Sequence, residues 1–154
     1  MNTTITIAQF ELQTNWFLNE LVNISDEQSN KQTTDNLNPT KWVAGHILNT
    51  RMTLLSLLTG VASDQNFNKM FGKGSSNKIE PSFPTIDEIK VKWSVVASEL
   101  TECLKNIPSE KLVSPAPFQT SIPDKTLHGL ITYMATHESY HIGQLSILKK
   151  LLKL

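Results

Sequence analysis

Apolar residues recur at intervals of three and four along most of the chain, and the pattern divides it into four helix-period segments. The first runs over residues 4–24, with Phe10, Phe17, Leu21 and Ile24 on one stripe interrupted at Thr14. The second is predicted to begin at Asn38-Pro39, a favourable cap followed by proline in the first turn, and to stop at Gly60. Its centre, WVAGHILNTRMTLLSLL, is apolar nearly all round, which predicts burial on more than one side. The third starts at Thr85, where Thr85 and Glu88 spell a capping box and Asp87 adds favourable negative charge. Its stripe is Ile86, Ile89, Trp93, Val96, Leu100, Cys103 and Ile107, and Pro108 ends it. The fourth runs from about Thr126 to the C-terminus. Residues 61–84 are polar, contain Gly72, Gly74, Pro81 and Pro84, and show no sustained period. They read as a long crossover loop between helices two and three that helps wall any site the bundle holds. No segment alternates as a strand does. The expected fold is therefore all-α, a single four-helix-bundle domain over residues 1–154.

Composition narrows the function classes. Lys plus Arg and Asp plus Glu are both 14, so the formal net charge is zero and no electrostatic footprint for nucleic acid or an acidic membrane is present. The lone Cys103 has no intrachain partner, the usual state in a reducing compartment. MNTTITIAQF has neither a basic n-region nor a long apolar h-region, and no apolar run approaches the ~20 residues that span a bilayer. A cytoplasmic protein is expected, without nucleic-acid or membrane partners.

The fourth segment carries the chemistry. Its stripe reads Leu127, Leu130, Met134, His141, Leu145, Leu148 and Leu152, with His137 on the flank beside Tyr133, Tyr140 and Gln144. At about 100° per residue, His137 and His141 lie roughly 40° apart and one turn from each other, close enough to bind one ion. Burying each imidazole without a partner costs about 1–3 kcal/mol, so something must compensate the pair. A single buried histidine is most simply a core residue hydrogen-bonded to a neighbouring helix. An i, i+4 pair on an apolar stripe points instead to a metal. His128, nine residues before His137, is rotated by about 180° and falls at the solvated helix start, so it is not a ligand. Zinc-like sites use three or four protein ligands. The remaining histidine, His46, sits in the middle of the buried second segment beside Trp42, Asn49, Thr53 and Leu57 and completes a set of three.

His137-Glu138-Ser139-Tyr140-His141 also spells H-E-x-x-H, the metalloprotease motif in which Glu is the general base. A metzincin would need glycine at 144 and histidine at 147, where Gln144 and Ile147 stand, and no acidic residue follows Glu138. Glu138-x-x-His141 equally spells half of a di-iron site, but Val43 and Lys125 occupy the positions where a second half would need glutamate. A mononuclear site remains.

Trp42-Val43-Ala44-Gly45-His46-Ile47, followed after a crossover and a third helix by His137-Glu138-Ser139-Tyr140-His141-Ile142-Gly143-Gln144-Leu145, resembles the DinB-like superfamily, which includes bacillithiol S-transferases. The resemblance covers essentially the whole chain and implies a four-helix bundle, often dimeric, with a three-histidine metal site. It makes His46, His137 and His141 the ligands of one divalent ion, Zn²⁺, Ni²⁺ or Fe²⁺. Glu138, about 60° from His141, is then a base acting through bound water, a residue that orients a ligand, or a partly exposed glutamate paired with a neighbour. Gln144 and Asn49 are further candidates for orienting ligands, and Arg51 reads as a surface or interface charge. The implied reactions on a small-molecule substrate are transfer of a low-molecular-weight thiol or metal-assisted hydrolysis. The competing reading is a non-catalytic metal-binding or interaction bundle. Trp16, which points away from the Phe10 and Phe17 stripe, suggests a helix-packed homodimer.

Overall fold

The computed structural model of the chain describes residues 3–153. Four long helices make the bundle: α1 (Thr4–Glu20), α3 (Thr40–Thr59), α5 (Ile86–Asn106) and α7 (Leu127–Leu151). Three short ones, α2 (Asp26–Ser29), α4 (Gln65–Phe71) and α6 (Ser109–Leu112), lie in the connections. Among the described residues there is no strand, only an isolated bridge between Pro115 and Thr126. The helices of α1 and α3 each pack on both α5 and α7, so the order around the bundle is α1, α5, α3, α7. The histidine-bearing helices α3 and α7 are therefore neighbours. No helix among the described residues is long and apolar enough to cross a membrane.

The ends of the long helices show why they begin and stop where they do. Thr85 Oγ1 accepts from Glu88 N–H and the Glu88 carboxylate accepts from Thr85 N–H, which is the capping box expected at the start of α5. Thr126 caps α7 through Gly129 N–H. At the end of α3, Gly60 has φ +78°, a left-handed conformation that only glycine adopts without strain. The start of α3 differs from expectation by one residue. Pro39 occupies the cap position without a side-chain bond, and Asn38 instead accepts from Asn77. The first helix is also shorter than predicted: it stops at Glu20, and Asn23 (φ 63°) turns the chain into α2 while Leu21 and Ile24 stay buried.

The core follows the predicted stripes with two exchanges. On α5 the buried residues include Ala97 and Leu104, whereas Cys103 and Ile107 are half-buried at its edge. On α7, Ile131, Ala135, Glu138 and Ile142 face the core, and His141 is half-buried rather than part of the leucine stripe. The crossover of residues 61–84 is not wholly irregular. It contains α4, capped by the Asp64 carboxylate on Phe67 N–H, and buries Phe67 and Phe71 against the core of the bundle.

Candidate metal centre

Three histidines converge from α3 and α7. One ring nitrogen from each of His46, His137 and His141 lies within 4.8 Å of the others, and among the described residues no fourth His, Cys, Asp or Glu joins them. His46 is buried and the other two are half-buried. His128, the remaining histidine, stands apart beside Asp124 at the start of α7, as its rotation predicts.

The hydrogen bonds decide which nitrogen of each ring faces the cluster. His46 Nδ1 lies 2.7 Å from the Phe71 carbonyl oxygen. A carbonyl can only accept, so Nδ1 carries the proton and Nε2 keeps a free lone pair. His141 Nδ1 donates in the same way to Gln144 Oε1 at 2.7 Å, leaving its Nε2 3.1 Å from His137 Nε2. Nitrogens held 2.0–2.1 Å from a tetrahedral ion stand about 3.3 Å apart, close to the separation of that pair. His137 has the one proton that could be shared on this inner side, and it reaches only one neighbour. His137 Nδ1 is itself buried without a partner. Two preset lone pairs aimed at one small volume fit a cation better than they fit each other.

Burial lowers all three imidazoles below the usual histidine range. For His46 and His141 burial is the main cause, opposed by the Phe71 carbonyl and Gln144 respectively. His137 falls to about 4, through burial first and then the neighbouring His141, His46 and Lys73 charges. The set is therefore neutral near pH 7, the protonation state that ligates a metal.

The sequence around His46 explains its placement. A Cβ added to Gly45 would come within 2.3 Å of the Phe71 ring. The missing side chain lets α4 close onto α3 and deliver the Phe71 carbonyl to His46. Trp42 stacks on the other side, 5.0 Å between ring centroids and nearly parallel. The periodicity gave no sign of Phe71, although Gly45 beside a buried histidine is the local mark of a close approach. Asn49 does not touch a histidine. Its amide donates to Asn68 on α4 at 3.0 Å, so it fastens the helix that carries Phe71.

Glu138 is paired with a neighbour, one of the alternatives for the middle of the motif, but it is buried and not partly exposed. Its side chain turns into the bundle, where both carboxylate oxygens accept from the Arg51 guanidinium, one from Nε at 3.0 Å and one from Nη2. It lines no part of the histidine cavity. Arg51, expected at the surface, is only 2% exposed. It also donates to Thr14 Oγ1 and the Phe10 carbonyl on α1, and lies 3.7 Å over the Trp93 ring of α5. One guanidinium thus links all four long helices. The rotation that puts two histidines on one face of α7 puts Glu138 on the next, and that face is the core. Burial pushes the Glu138 carboxyl up to about 7, against the pull of Arg51.

The histidines open onto a cavity of about 610 Å³. Its walls come from α3, from α7, from Asn68, Lys73 and Gly74 of the crossover, and from Phe118, Gln119 and Thr120 of the connection before α7. The crossover therefore walls the site, as expected of it. A hollow of about 700 Å³ between α3 and α5, lined by Met52, Leu55 and Val95, holds no histidine.

Residues 9–145 match the family described as the DinB superfamily. Among solved structures, the crystal structure of the conserved protein of locus from Enterococcus faecalis is similar over 99% of this chain and 98% of that one, with a TM-score of 0.75 and 14% sequence identity. Seven solved chains match in all. No curated protein matches the sequence.

Proposed function

The chain belongs to the DinB superfamily, and from that premise we propose that it is a mononuclear metal-dependent enzyme acting on a small molecule. The observation that carries this reading is the convergence of three imidazoles, with no fourth protein ligand among the described residues, on the wall of a cavity large enough for a substrate. Closed four-ligand sites are structural, whereas catalytic sites keep a position open. Small-molecule sites commonly occupy about 300–1,000 Å³.

His46, His137 and His141 would hold a single divalent ion, with zinc, nickel and iron all compatible with nitrogen ligands. When bound, such an ion lowers the pKa of a water or thiol in the open position and supplies a nucleophile near neutral pH. The protein's own part is orientation. The Phe71 carbonyl and Gln144 fix the tautomers of His46 and His141, so both present Nε2 without a search. Trp42, Tyr133 and Met134 supply apolar surface that excludes water from part of the cavity. Glu138 supports the frame through Arg51 and takes no part in proton transfer. The two reaction classes that fit are attack by a thiolate on an electrophilic carbon, with the leaving group departing with its electron pair, and hydrolysis by hydroxide.

The test is an assay of zinc-, nickel- and iron-loaded protein with 1-chloro-2,4-dinitrobenzene plus a small thiol, and with p-nitrophenyl acetate. A metal-dependent rate with either, abolished in His46→Ala and retained in His128→Ala, supports the reading. Protein that carries one equivalent of metal and accelerates neither reaction would favour the non-catalytic bundle.

A further inference from the structure

The cavity over the three histidines is charged in one sense only. No aspartate or glutamate lines it, and Lys73 is the one lysine or arginine among its lining residues. The absence matters because the chain has as many acidic as basic residues, 14 of each. Lys73 is exposed, two residues beyond the Phe71 that anchors His46, and forms no ion pair among the described residues. A divalent ion on three neutral imidazoles would add positive charge with no carboxylate to offset it. The same cavity offers an aromatic and apolar surface from Trp42, Phe118, Tyr133 and Met134.

We propose that this cavity takes a small organic anion with an apolar body, and that Lys73 selects it by holding its carboxylate or phosphate group. The inference rests on the cavity being the substrate site, as argued above. A cavity with one sign of charge and low-dielectric walls concentrates ligands of the opposite sign. The flexible stem of an exposed lysine suits a point-charge contact with either anion. The neutral amides and hydroxyls of Asn49, Thr50, Thr53 and Asn68 add polar contacts that do not oppose an anion.

The test is a titration followed by the NMR signals of the Trp42 indole and the Asn49 and Asn68 side-chain amides, in metal-free and zinc-loaded protein. The probes are 3-phenylpropionate, its neutral amide 3-phenylpropionamide, and phenyl phosphate. At least one anion should bind about fivefold more tightly than the amide, the effect of one charge pair near water. In metal-free protein Lys73→Ala should remove that advantage without changing the affinity for the amide, and Lys73→Glu should reverse the order. Equal affinity of acids and amide in the unmodified chain, or an advantage that survives in metal-free Lys73→Ala, overturns the proposal. Lys73-dependent anion binding by a chain that takes up no zinc supports it while removing the metal reading. Stoichiometric zinc without charge discrimination does the reverse.

Discussion

Two faces of α7, one residue apart in sequence, carry opposite kinds of polar group. On the Glu138 face the buried charge is answered: both carboxylate oxygens meet Arg51, and Arg51 reaches α1 as well. On the His137 and His141 face the polar groups are left open, with one Nδ1 buried and unpartnered and the inner nitrogens crowded together beside a cavity. A satisfied buried network holds a fold in one arrangement, whereas a buried polar atom without a protein partner leaves room for a water or an ion. The H-E-x-x-H string is thus divided between a core carboxylate paired with Arg51 and two histidines that open onto a cavity.

The largest effect expected from breaking that division is on the core side. Glu138→Ala or Arg51→Ala leaves an uncompensated buried charge and should cost about 3–5 kcal/mol in denaturant unfolding. Protein that still folds should keep its metal. A double change to Arg51→Met and Glu138→Leu should recover much of the loss, since buried pairs replaced by apolar groups are often neutral. Loss of metal from folded Glu138→Ala protein would show that the two faces are not separate.

Gly45→Ala comes next, because it acts on both faces of the comparison. The added methyl meets the Phe71 ring and should cost about 1–3 kcal/mol by overpacking, read as a lowered urea midpoint. It should also weaken metal binding by moving the carbonyl that orients His46. Gln144→Ala should weaken metal affinity about 10- to 100-fold, measured by competition with a chelator, with little change in the stability of metal-free protein.

The subtlest expectation is a pair of opposed pH dependences in the metal-free chain. The histidines have lowered pKa values when folded, His137 to about 4, so below 6.5 the unfolded chain binds more protons. Their contribution is complete above 6.5 and is lost as pH falls toward 4. Glu138 is raised from 4.5 to about 7, so the folded chain binds more protons in that window. Its contribution is present below 4.5 and is lost as pH rises through 7. Three groups oppose one, so urea midpoints should rise from pH 4.5 to 6.5, by less than the histidines alone would give. His137→Ala should flatten that rise and Glu138→Gln should steepen it.

Much of this was legible in the sequence because it rests on local period and caps. Thr85 with Glu88, Gly60 and the three-four stripe of Trp93 and Leu100 each report their own helix. The histidine pair was readable for the same reason, since 40° of rotation is a property of one helix. Arg51 and Glu138 were misread because their environment depends on how α1, α3, α5 and α7 come together. A charge within a nearly all-apolar helix looks the same in sequence whether it escapes to solvent or meets a partner 87 residues away. Phe71 was missed because its contribution is a backbone carbonyl, which carries no residue signature. The short helix that delivers it lies in a stretch dominated by glycine, proline and polar residues.

The central claim is that His46, His137 and His141 together hold one metal ion while Glu138 does not. Metal analysis of the purified chain beside its His46→Ala, His137→Ala, His141→Ala, His128→Ala and Glu138→Gln variants measures this directly. One equivalent in the unmodified chain, in His128→Ala and in folded Glu138→Gln, with none in the other three, is the predicted result. A full equivalent retained in both His46→Ala and His141→Ala would contradict the three-histidine site.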